Sequence, residues 1–290
     1  MTGPTPLTLP DGRRLELYVA GGEGIPLVFH HGSPSSGIEF PPLIVALAER
    51  GMRFVGYTRA GYGSSTRRPG RSIADVAEDV RAILDQLGAD EAYTYGWSGG
   101  GPHAIATGAL LADRILGVAT IGGVAPWPAE GIDWFEGMGP ENIEEFNATL
   151  ADPESSARSA ERDWPKWRAV TGAEIAETFG GLIDHVDEGA LTGDFAEYVA
   201  AATREGLRES YWGWVDDDLA FVKPWGFDLA SLQVPVHIWQ GGHDKMVPFG
   251  HGQWLAAHIP SARPHLLPEE GHLSLAVTQV SQIVDALIAG

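Results

Sequence analysis

Cysteine is absent from this 290-residue chain. That removes a disulfide scaffold, a thiolate metal site and a cysteine nucleophile, and it fits a reducing compartment. Basic residues are few: 19 Lys and Arg stand against 39 Asp and Glu, for a formal net charge of −20. A surface of that sign repels phosphate backbones and anionic lipid, so neither nucleic acid nor a membrane is expected as a partner. Long hydrophobic runs are missing as well; no stretch approaches the roughly 18 uncharged apolar residues of a membrane span. Residues Met1 to Pro6 show neither a basic region nor an apolar one, so no secretory signal is expected and a cytoplasmic location is. What remains is a globular chain, 44% apolar, whose expected partner is a small molecule. Its oligomeric state is left open.

The first third alternates strand and helix patterns. Leu15 to Val19 alternates apolar and polar residues, as a half-exposed strand does. Pro26–His30 and Met52–Tyr57 are more continuously apolar, as strands covered on both faces are. Ile73, Val76, Val80, Ile83, Leu84 and Leu87 recur at helical spacing and stop at Gly88. Strand-like Ala92–Tyr95, a Gly-rich turn, another helix and strand-like Gly117–Ile121 follow. This order predicts an α/β fold built on a doubly wound, mostly parallel sheet. The pattern breaks at Val124 and resumes at Val236–Gln240, then runs through Pro264–Leu267 into a helix carrying Leu275, Val280, Ile283 and Leu287. Residues 124–233 are helical in periodicity and hold seven of the ten tryptophans, with 23 acidic and 7 basic residues, so −16 of the net −20 lies there. The expected organisation is a core of 1–123 and 234–290 with a helical cap over 124–233.

Gly96-Trp97-Ser98-Gly99-Gly100 places a serine between glycines at the junction of a strand and a helix. A sharp, strained turn there tolerates little side chain on its flanks and presents the hydroxyl at the sheet edge. The following helix, opened near Pro102, aims its N-terminal N–H groups at charge developing on the serine. Ser98 is therefore the candidate nucleophile. It requires a base, and the base requires an orienting acid. Among ten histidines, His272 falls between the last strand and the last helix, and His243 is its nearest rival. Asp244 follows strand Val236–Gln240 and so lies at the carboxyl edge of the sheet, where ligands of open α/β sheets bind. The backbone after strand Pro26–His30, at Ser33, is placed to offer an N–H to the same centre, with Gly99 N–H as its partner; such donors are worth about 3–4 kcal/mol each.

With these segments together, the sequence resembles the α/β-hydrolase superfamily in its capped branch. His31-Gly32-Ser33-Pro34 is similar to the family's oxyanion segment, and Arg59-Ala60-Gly61-Tyr62-Gly63-Ser64-Ser65 to the loop after its next strand. Gly96–Gly100 is similar to its nucleophile turn, Gly241-Gly242-His243-Asp244 with Val247-Pro248 to its acid loop, and Gly271-His272 to its histidine loop. Thr58 departs from the pattern, which more often has Asp there. The resemblance implies the α/β-hydrolase fold and a triad in the order Ser98, Asp244, His272. Relatives that open epoxides or displace halides carry Asp at the nucleophile position, so Ser98 implies acyl transfer: a serine hydrolase of the esterase kind. No metal or cofactor is expected, since histidines and carboxylates do not cluster along the sequence.

The aromatic cap suggests an apolar pocket. Trp97, beside the nucleophile, and Trp127, just after the strand ending near Gly122, are the candidate lining residues; the remaining cap aromatics are expected to fill the cap's own core. The acidic excess admits a second reading, an aminopeptidase similar to proline iminopeptidases, with Glu130, Asp133, Glu136, Glu141, Glu144 and Glu145 as candidates to hold an ammonium group. A third is a low-turnover ligand-binding protein on the same fold. Cofactor-free perhydrolysis or haloperoxidase-like activity on the same triad is expected only as a side reaction.

Overall fold

The structure, a computed structural model, describes residues 3–290. Eight strands form one sheet: β1 (Thr5–Thr8), β2 (Arg14–Gly21), β3 (Pro26–His30), β4 (Arg53–Thr58), β5 (Ala92–Trp97), β6 (Ile115–Ile121), β7 (Val236–Gly241) and β8 (Ala262–Leu267). Their order is β1-β2-β4-β3-β5-β6-β7-β8. The pairs β1/β2 and β2/β4 are antiparallel and all others parallel. The mostly parallel, doubly wound α/β sheet anticipated from the sequence is therefore present.

The central strands read as continuous apolar runs because helices cover both faces. In β3 the alternation separates two cores: Val28 belongs to one cluster, Leu27 and Phe29 to the other. The first core receives α2 (Val76–Leu87), α3 (Gly100–Leu110) and α10 (Phe249–His258); the second receives α1 (Pro41–Ala48), α11 (His272–Thr278) and α12 (Val280–Ala289). Helix α2 is amphipathic as read, burying Val76, Val80, Ile83 and Leu84, and it ends at Gly88, whose φ of +60° continues the chain in the left-handed region.

Between β6 and β7 the chain forms α4 (Pro140–Ala151), α5 (Pro153–Trp167), α6 (Ile175–Phe179), α7 (His185–Ala190), α8 (Gly193–Gly206) and α9 (Trp212–Phe221), with no strand in 124–233. Many of its aromatics pack on one another: Trp214, Trp164, Trp167 and Tyr211 share a cluster with Tyr62.

Three expectations are corrected. Strand β1 was not anticipated; it is only four residues long and pairs at the sheet edge. The pattern of Leu15 to Val19 is not half-exposed, because Leu15, Glu16, Leu17 and Tyr18 are all buried. Glu16 is accommodated there by Ser64, which donates from its backbone N–H at 3.1 Å and from its hydroxyl, and by Arg208. The last helix is two helices, α11 and α12, meeting at a 69° bend after Thr278.

Candidate active site

Ser98 joins β5 to α3 with φ +56°, the one positive φ at a non-glycine among the described residues. A β-carbon is disfavoured in that region, so neighbouring structure must hold it there. Ser98 N–H donates to Ile121 O at 2.7 Å, and its carbonyl accepts from Gly101 N–H at 2.8 Å. The glycine spacing has a steric origin: a Cβ at Gly96 would collide with the carbonyl of Gly100, and one at Gly100 with the carbonyl of His30.

Asp244 sits in the loop after β7. Its Oδ1 accepts from the N–H groups of Met246 at 2.9 Å and Val247 at 2.7 Å. Its Oδ2 accepts from Gln240 Nε2 at 2.9 Å and lies 2.7 Å from His272 Nδ1. With a carboxylate on that side, Nδ1 carries the proton and Nε2 is left as acceptor. Burial opposes the imidazolium of His272, but the Asp244 carboxylate, joined by that of Asp187, outweighs it and raises the pKa above 6.5. The ring stacks on Trp97, centroids 6.1 Å apart. Gly122 passes so close that a Cβ there would lie 2.7 Å from His272 Nδ1. His272 is also fixed from behind. Asp187 of α7, wholly buried, accepts from the backbone N–H groups of His272, Leu273 and Ser274 at 3.0, 2.8 and 2.9 Å. This is a helix N-terminus satisfied by a carboxylate from a distant segment. Ser98 and His272 share the wall of one small cavity, about 70 Å³, with Trp97, Trp167, Phe179 and Tyr198. No hydrogen bond joins Ser98 Oγ to His272 among the described residues, and in unliganded sites such contacts often tighten only around substrate.

The segment after β3 brings Ser33 beside Ser98, and the backbone N–H groups of Ser33 and Gly99 donate to no described residue. Asp217 of α9, fully buried, anchors this segment. It accepts from Ser33 Oγ at 2.5 Å, Tyr62 Oη at 2.8 Å and Arg59 Nη2 at 2.6 Å, and Arg71 Nη2 is 2.7 Å away. Burial penalises the carboxylate, but Arg59 and Arg71 hold its pKa well below the usual carboxylate range.

The α/β-hydrolase-fold family model matches residues 25–160. A non-heme haloperoxidase of Rhodococcus erythropolis is 27% identical over 270 residues, 92% of each chain. Among solved structures, a bromoperoxidase from Bacillus anthracis superposes with TM-score 0.72 at 22% identity, covering 99% of this chain and 100% of that one. An esterase from Exiguobacterium antarcticum does so with TM-score 0.70 at 19% identity, covering 99% and 98%. The chain has the α/β-hydrolase fold. The helices inserted between β6 and β7 bring residues to the cavity of Ser98.

A larger cavity of about 530 Å³ is lined by Ser33, Ser98 and Gly99 on one side and by Glu141, Glu144, Glu145, Trp214 and Asp218 on the other. Arg162 answers Glu144 at 2.9 Å. Glu145 and Asp218 have no ion-pair partner among the described residues; Glu145 accepts from Trp214 Nε1 at 2.8 Å. Burial raises the pKa of Glu145 to about 7, against the pull of Trp214. Burial and the neighbouring Glu145 push Asp218 well above 3.8. Of the acidic candidates from the sequence, Glu141, Glu144 and Glu145 reach this cavity, whereas Glu130, Asp133 and Glu136 do not.

Trp127 is a further correction. It lines neither cavity that holds Ser98, and instead packs against Trp134 and Phe135, centroids 5.6 Å away in both cases. Nearness in sequence to β6 brought its backbone close while its side chain turned into an aromatic cluster. The structure also departs from the expectation of no metal-ligating cluster. Asp184, His185 and His243 come together, with His243 Nδ1 2.8 Å from Asp184 Oδ2. Asp187, Asp217 and Gly122 were not singled out from sequence either. Gly122-Gly123 after β6 was the available signal for the last.

Proposed function

We propose that this α/β hydrolase cleaves a carboxylic ester or related acyl bond of a small, largely apolar molecule, with Ser98 as nucleophile, His272 as base and Asp244 as its orienting acid. The observation that carries the reading is the His272–Asp244 contact at 2.7 Å, in a cavity whose wall includes Ser98 in its left-handed turn. In the first step His272 Nε2 takes the Ser98 proton as Oγ attacks the carbonyl carbon. The oxyanion accepts from the N–H groups of Ser33 and Gly99, and the imidazolium returns the proton to the leaving oxygen. Water, activated by the same histidine, then releases the acid and restores Ser98. The aromatic cavity of Trp97, Trp167, Phe179 and Tyr198 suits the acyl chain.

One observation favours a second reading, an aminopeptidase: Glu145 and Asp218 line the cavity of Ser98 with no ion pair of their own among the described residues, while Arg162 on the same wall is engaged by Glu144 and Lys166 by the carbonyl of Thr178. An ammonium group entering there would stabilise their ionised form.

Hydrolysis of short and medium p-nitrophenyl esters and of proline p-nitroanilide separates the two, measured for wild type beside Ser98→Ala. Ester turnover falling about 10⁴-fold or more in the variant supports the first reading. Release confined to the proline substrate transfers the assignment to the second. Equal inactivity of both proteins on all substrates overturns both and leaves a ligand-binding role.

A further inference from the structure

We propose that Asp184, His185 and His243 form a site for one divalent transition-metal ion of the zinc class, clasping the start of α7 to the loop after β7. The donor atoms of these three side chains all lie within 4.8 Å of one another. Asp184 Oδ2 is 2.8 Å from His243 Nδ1 and 3.8 Å from His185 Nδ1, and the two rings meet edge to face with centroids 5.4 Å apart. Ligands about 2.0–2.2 Å from a tetrahedral ion stand about 3.3 Å apart, so small side-chain rotations suffice.

Two of the donors are already held. Asp184 Oδ1 accepts the Val186 N–H at 3.0 Å, which leaves Oδ2 turned toward the histidines. The backbone of His243 is pinned by its N–H to Glu270 O at 2.8 Å. The third donor, the 79% exposed side chain of His185, is free to swing inward. Two imidazoles and one carboxylate are the donors of zinc, copper and nickel, whereas calcium and magnesium take oxygen. Asp184 and His243 line a cavity of about 520 Å³ together with Asp133, Glu136, Lys245 and the proposed acid Asp244. Asp133 and Glu136 supply negative charge there against the single ammonium of Lys245.

The site stands outside the proposed chemistry. Its consequence is mechanical: Asp184 precedes α7, and Asp187 on that helix holds the N-terminus that carries His272. An ion bridging α7 to the acid loop constrains both sides of the His272–Asp244 contact.

The test is calorimetric titration of the full chain, freed of any histidine tag, with zinc and separately with magnesium, beside thermal melting in each. The expected result is one zinc per chain, no magnesium binding, a melting temperature raised by zinc alone, and binding at least about tenfold weaker in His185→Ala. His243→Ala should lose zinc in the same way; should it fail to fold, the exposed His185→Ala decides alone. No saturable zinc binding in the wild type overturns the proposal, as does zinc affinity unchanged in His185→Ala.

Discussion

Asp187 accepts the backbone N–H of His272 at 3.0 Å across 85 residues of chain. Asp187 comes from the helices inserted between β6 and β7, and His272 from the helix after β8, so the two segments share one anchoring point. Asp187→Ala strands three buried N–H groups, each at a cost of about 1–3 kcal/mol, a loss that denaturant unfolding will register. If the clasp positions the base, kcat falls with KM little changed, and Asp187→Asn, which keeps one acceptor oxygen, recovers part of both losses. Unaltered kcat in a destabilised Asp187→Ala protein would reduce the contact to a structural one.

In the proposed mechanism the raised pKa of His272 sets the acid limb of the rate profile. Activity needs the neutral imidazole, so kcat/KM should rise with pH through a midpoint above 6.5. Removing the carboxylate by Asp244→Asn should lower that midpoint and cut kcat by about 10⁴-fold, as the wrong tautomer becomes favoured. A midpoint that stays in place in the variant would assign the limb to another group.

Glu145 predicts a pH effect on stability. Its folded pKa is raised to about 7 from 4.5, so the neutral acid is the form that folding favours. That contribution is complete below the unfolded value and disappears as pH climbs through the folded one. Wild-type unfolding midpoints should therefore decline between about pH 4.5 and 7, with Asp218 adding in the same sense, and Glu145→Gln should flatten the decline. An identical profile in the variant would show the carboxyl to be solvated.

Asp217 answers two buried guanidiniums, Arg59 at 2.6 Å and Arg71 at 2.7 Å. Asp217→Ala leaves both without their counter-charge, and about 3–5 kcal/mol of stability should be lost in thermal or chemical unfolding. Because Ser33 Oγ also donates to Asp217 at 2.5 Å, surviving variant protein should show a lower kcat.

The parts of this molecule that were legible in sequence are those encoded locally. The alternation of apolar runs and helical periodicity up to Ile121 needs no knowledge of partners, and the elbow glycines around Ser98 report a steric demand of the chain on itself. His272 and Asp244 were found because each follows a strand at the same sheet edge. Asp187 and Asp217 escaped because their partners lie 85 or more residues away, and a buried acid in a charged helical segment looks like a solvated one. His243 and Asp184 are 59 residues apart and meet only when α7 folds back onto the acid loop. Trp127 failed for the opposite reason: proximity along the chain fixes a backbone position but not the direction of a side chain.

The reach of α7 and α9 into the core bears on how this scaffold can be re-engineered. Exchanging residues 124–233 for the equivalent stretch of another enzyme would look like a modular graft, with its seams just after β6 and before β7. Yet two acidic residues of the exported piece act as fittings for the host, one behind His272 and one beneath Ser33. A transplant that supplies new walls without those fittings inherits a loosened His272 and an unanchored loop. Successful hybrids will be those that copy the turns around Asp187 and Asp217 along with the seams.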